Sequence, residues 1–112
     1  MKAVATREVK TTSETSFEFD KELVLKSSKY GTTYKFLMVV DGDKLHTLMV
    51  VNYGSDNTSV FSHPNKELDS VNDELNTFMS MTSGMSVERI SKDEFVESYR
   101  EAMSSHLNVE GL

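Results

Sequence analysis

An α+β fold is predicted by three features of this 112-residue chain. Apolar residues alternate with period 2 through much of the first half, a glycine turn separates two β-branched runs, and the second half carries two helical apolar stripes. The expected architecture is an antiparallel β-meander of four or five strands followed by two amphipathic helices packed on one face. A short strand lies between the helices.

The elements follow in order. Residues 1–10, MKAVATREVK, are polar and are expected to be frayed. In SETSFEFDKELVL, residues 13–25, Phe17, Phe19, Leu23 and Leu25 fall on odd positions. Period 2 argues for strand, either one long strand or two meeting near Asp20 and Lys21, with a short Asp20-capped helix as the alternative. SSKYG then turns the chain into a strand over 32–40. The tripeptide Asp41-Gly42-Asp43 sits between TTYKFLMVV and KLHTLMVV. A two-residue loop containing Gly42 makes this a hairpin, because glycine takes the positive φ that primed turns require. A calcium loop would need a bidentate acid at its twelfth position, and counting from Asp41 that position is Asn52. The tripeptide therefore reads as a chain reversal, and no metal or cofactor site is expected.

After GSDN, the segment TSVF adds a strand and Pro64 closes the sheet half. Leu68, Val71, Leu75, Phe78 and Met79 then mark one face of a helix, which Thr82-Ser83-Gly84 stops. MSVERI alternates weakly as a strand. Ser91 and Glu94 form a capping box for the last helix, with Ile90 and Phe95 as its hydrophobic staple. Phe95, Tyr99, Ala102, Met103 and His106 or Leu107 mark its buried side.

The hairpin parity has a functional consequence. Tyr34, Phe36, Met38 and Val40 share a face with Leu45, Thr47, Met49, Val51 and Tyr53. The other face carries Leu37, Val39, Leu48 and Val50, ringed by Lys35, Lys44, His46 and Asn52. Four extra aliphatic residues represent about 1.5–3 kcal/mol each when buried, so something should cover them. Either the chain covers them itself, through helices on opposite faces or a curled N-terminal strand, or Lys35, Leu37, Val39, His46, Leu48 and Val50 form a partner surface with an apolar centre and a polar rim.

Charge narrows the partner classes. Residues 1–56 hold eight Lys/Arg and eight Asp/Glu, whereas residues 57–112 hold four against ten. The whole net charge of −6 thus lies in the C-terminal half. Nucleic acid is disfavoured there, since its binding rests on Lys/Arg contacts to phosphate. KSSKYGTTYKF interleaves basic and aromatic residues, but Tyr34 and Phe36 belong to the core face. The acidic helix ridges, Asp69, Asp73 and Glu74 on the first helix and Glu94, Glu97 and Glu101 on the second, could dock a basic protein or could simply be solvated.

No catalytic residues are assigned. The chain has no cysteine, its three histidines lack metal-ligand spacing, and no Gly-x-Ser-x-Gly elbow accompanies its fifteen serines. No signal-peptide core or membrane-spanning run is seen, so a cytoplasmic, soluble single domain over 1–112 is expected. The leading reading is a non-enzymatic protein-interaction module of inhibitor, immunity, chaperone or assembly-accessory type, binding another protein or a second copy of itself. The alternative is a small-ligand binder with Met38, Met49, Met79 and Met103 lining a pocket between sheet and helices. An enzyme of undefined type is third.

Overall fold

The computed structural model describes residues 1–8, 12–54, 57–82 and 86–109, with side chains described for these except 6–8, 12–15 and 105–109. Among the described residues, seven strands and two α-helices follow one another in an α+β arrangement. Strands β1 (Lys2–Glu8) and β2 (Thr12–Glu18) pair antiparallel as a separate two-stranded sheet. Strands β3 (Glu22–Lys29), β4 (Thr32–Asp41), β5 (Lys44–Asn52) and β6 (Thr58–Glu67) form the meander. A 3₁₀ turn (Leu68–Ser70) leads into α1 (Val71–Met81), followed by β7 (Val87–Arg89) and α2 (Lys92–Val109). The main sheet runs β6-β5-β4-β3-β7, so the short strand between the helices returns to pair with β3.

Local chemistry accounts for the turns. β2 and β3 are separate strands that break at Asp20 and Lys21, which settles the choice between one strand, two strands and a helix. Tyr30 and Gly31 both have positive φ, 54° and 82°, the pattern of a type I′ reversal. At the next hairpin Gly42 alone takes positive φ, 64°, as a type II′ loop requires at its first position. Asp41 pairs with Lys44 across it, Leu37 with Leu48, and Phe36 with Met49. The expected two-face register is therefore present.

The helices, however, do not share a face. α1 places Val71, Leu75 and Phe78 in one cluster with Leu23, Leu25, Phe36, Met38, Leu45, Met49 and Val51. Phe78 stacks on Phe36 with ring centroids 4.9 Å apart. α2 places Phe95 and Ala102 in a second cluster with Val24, Leu37 and Val50, and Val39, Leu48, Val60, Ile90 and Tyr99 pack at its margin. The expectation of two helices on one face is thus corrected. A sheet with aliphatic residues on both sides lowers its free energy by taking one helix on each, and β7 carries the chain across at the β3 edge.

Two further differences concern the ends of elements. Residues 2–8 are a strand and not a frayed tail: Ala3 and Ala5 are buried against the α1 cluster, and the Val4 N–H donates to Asn72 Oδ1 at 2.8 Å. Small side chains let β1 lie close beside α1. Pro64 does not end the sheet, because β6 continues to Glu67 and α1 starts only at Val71. A register shift opposite Leu45 to Thr47, with Asn65 at φ 58°, makes room for the proline on an edge strand. The stop at Ser83-Gly84 lies outside the described residues; Thr82 closes the helix by donating its hydroxyl to the Phe78 carbonyl at 3.1 Å.

The last helix begins as its sequence dictates. The Glu94 N–H donates to Ser91 Oγ at 3.2 Å, and Ile90 and Phe95 meet in the second cluster. The Glu94 carboxylate reaches across to Lys26 at 3.5 Å and Lys35 at 3.6 Å, tying helix to sheet. Met103, expected on the buried side, is exposed. The side chains of His106 and Leu107 lie outside the described residues.

Candidate functional site

The register shift in β6 and the first turns of α1 together build a cleft. Thr47 on β5 pairs with His63 on β6, so both side chains rise on the α1 side of the sheet. α1 brings Glu74 and Thr77 over them. Glu74 is only 7% exposed, and its Oε2 stands 3.3 Å from His63 Nδ1. With hydrogen on Nδ1, the imidazole donates to the carboxylate. His63 itself has half of its side chain in solvent.

Two cavities meet at this pair. An apolar slot of about 30 Å³ runs beneath it, walled by Phe36, Met49, Phe61 and Phe78 and closed by Thr47 and Glu74. That is room for one or two waters. An open polar cleft of about 220 Å³ lies outside it, lined by His63, Lys66, Ser70, Asp73, Glu74 and Thr77. Nearby, the Asn65 N–H donates to His46 Nδ1 at 3.1 Å and His46 Nε2 lies 3.8 Å from Asp41 Oδ2, so the two histidines flank the irregular segment of β6 from opposite sheet faces.

The residues singled out from the sequence separate cleanly. Leu37 and Val50 are 5% and 4% exposed beneath α2 and cannot meet a partner while that helix is in place. Val39 and Leu48 pack at its margin, and Lys35 donates to Ser98 Oγ and pairs with Glu94. The sheet face is therefore covered by the chain itself. Among the acidic residues, Asp69 and Asp73 are exposed on one side of the sheet, while Glu97 and Glu101 are exposed on the helix that packs on the other. The two ridges do not form one surface. Glu74, expected beside Asp69 and Asp73 on a ridge that either docks a basic protein or is solvated, is instead buried against His63. No sequence spacing announced that pair, since it depends on how far β6 runs past Pro64. Of the four methionines proposed to line a pocket, Met49 lines the slot, Met38 is wholly core, Met79 packs against the core cluster, and Met103 is exposed.

The groups that line the cleft are an imidazole, an ammonium, two carboxylates and two hydroxyls. No group of three or more potential ligands that could hold a metal occurs among the described residues. The Thr77 hydroxyl donates to the Asp73 carbonyl at 3.0 Å, and no hydrogen bond among the described residues joins His63 to a hydroxyl that it could activate. No described helix is long and apolar enough to cross a membrane. Comparison with protein-family models, curated proteins and solved structures finds no match.

Proposed function

We propose that this protein is a small acidic, non-enzymatic interaction module that binds a basic segment of another protein at the cleft between β6 and α1. It would act by occupying that partner's surface, as an inhibitor, immunity factor, chaperone or assembly accessory does. The carrying observation is Glu74, a carboxylate at 7% exposure beside an open cleft that Asp73 also lines. A carboxylate withdrawn from water loses hydration that a single hydrogen bond from an imidazole replaces only in part. A lysine or arginine head entering the cleft supplies the missing counter-charge at a site already desolvated.

Size favours this reading over a metabolite pocket. Ligand pockets run to roughly 300–1,000 Å³, whereas the apolar slot and the outer cleft here hold about 30 and 220 Å³. One long side chain fits the outer cleft; a drug-sized molecule does not fit the slot. Lys66 on the cleft wall sets the specificity, since it repels a second cation placed toward the end of β6.

The test is an NMR titration of the ¹⁵N-labelled protein with an oligo-lysine peptide, alongside capture of partners from the native host. Saturable shifts should centre on His63, Asp73, Glu74 and Thr77, and Glu74→Gln together with Asp73→Asn should abolish them. The same double variant should lose a stoichiometric basic protein that the wild type retains. Weak shifts spread evenly over every acidic residue would show ordinary polyelectrolyte contact and end the proposal.

A further inference from the structure

We propose that the cation this cleft takes is the head of a monomethylated lysine, its N-methyl group seated in the apolar slot beneath the His63–Glu74 pair. This ligand presupposes the cleft as the cation site proposed above, and narrows the partner to one kind of side chain. The apolar slot and the polar cleft share three lining residues, His63, Glu74 and Thr77. Phe61, His63 and Thr77 are all exposed, so the outer rim of the slot lies at the surface, where it meets the cleft.

The two spaces ask for different chemistry within the width of one side-chain head. Phe36, Leu48, Met49, Phe61 and Phe78 give the slot walls of hydrocarbon and a thioether. Such a space offers water too few hydrogen bonds, and while it stands empty its walls lack contact partners. Asp73 and Glu74 line the adjoining cleft, Glu74 at 7% exposure. A ligand that satisfies both spaces carries a positive charge and an apolar group on neighbouring atoms. A methylammonium does so: its N–H groups donate to carboxylate while its methyl leaves water.

Size and hydrogen bonding select among the cations. The slot's volume of about 30 Å³ is close to the share of one molecule in liquid water, so it admits one methyl group and not three. A trimethylated head also has no N–H left to give the carboxylates. Arginine spreads five N–H groups around a planar fork, and seating that fork against the phenylalanine walls would leave some of them unpaired. Unmodified lysine satisfies the carboxylates but leaves the slot empty.

The experiment titrates the labelled protein with peptides of one sequence that carry lysine, monomethyllysine, trimethyllysine or arginine at the centre. The monomethyllysine peptide should bind about fourfold tighter than the lysine peptide, the gain from taking one methyl group out of water. The trimethyllysine and arginine peptides should bind no tighter than lysine. The methyl resonance of Met49, a wall of the slot, should move with the monomethylated peptide and stay in place with the unmodified one. Phe61 is 42% exposed, so Phe61→Ala removes the outer wall of the slot without emptying the core. That variant should lose the methyl preference and still bind the lysine peptide. Equal affinity for lysine and monomethyllysine, tighter binding of trimethyllysine, or a preference that survives Phe61→Ala overturns the methyllysine assignment and leaves the cleft as a cation site. If no lysine peptide shifts the cleft residues, both proposals fall.

Discussion

His63 and Glu74 are eleven positions apart, yet an irregular edge strand and the start of α1 bring Nδ1 and Oε2 to 3.3 Å, with Glu74 largely buried at the wall of the cleft. Because the pair joins strand to helix, it bears on stability as well as on recognition. Glu74→Gln removes the charge but keeps an oxygen that can accept from His63 Nδ1, so the variant should unfold within about 1 kcal/mol of the wild type while losing the basic peptide. A urea titration of both proteins checks this. A variant that fails to fold would make Glu74 a structural residue first.

The covered sheet face predicts unfolding where an open interface would predict dissociation. Leu37 lies under Phe95 and Ala102 of α2, so Leu37→Asp places an unpaired charge in that cluster. It should cost about 3 kcal/mol or more, and Phe95→Ala should cost about 3–5 kcal/mol. Met103→Asp, on the exposed side of the same helix, should stay within about 0.5 kcal/mol. Denaturant midpoints rank the three, and a folded, soluble Leu37→Asp monomer would contradict the packing.

Stability at high pH should report the Lys44–Glu67 contact. Lys44 Nζ donates to Glu67 Oε1 at 2.8 Å, and this hydrogen bond, followed by attraction to the same carboxylate, raises the lysine above its ordinary 10.5. The folded state thus holds the proton more tightly than the unfolded chain does. The contribution is fully present below pH 10.5 and fades as pH climbs through the raised value. Since the pair lies at the surface, the effect is small and weakened by salt. The melting-temperature gap between wild type and Glu67→Gln should hold steady up to pH 10.5 and shrink beyond it. A gap that widens there would reverse the assigned sign.

The β4–β5 reversal should be sensitive to backbone alone. A Cβ added at Gly42 meets nothing within 4 Å, but the residue sits at φ +64°. Gly42→Ala should therefore cost about 1 kcal/mol with no steric component, read as a shift in urea midpoint at constant slope.

Much of this architecture is legible along the chain. Period-2 alternation, Gly42 and the Ser91 cap each act within a few residues, and the structure shows the corresponding hairpin, register and helix start. The two aliphatic faces of the central ribbon were equally readable, because strand parity is local geometry. What covers them was not: an amphipathic stripe says that a helix has a buried side and is silent on which side of a sheet receives it. That choice was made by the path through β7, which leaves α1 on one face and carries α2 to the other. The burial of Glu74 was likewise a tertiary matter, since it needs β6 to run past Pro64 and deliver His63 beneath α1. Propensities and turns operate over a handful of bonds, whereas the pairing of a buried carboxylate is decided by segments that meet only when the core closes.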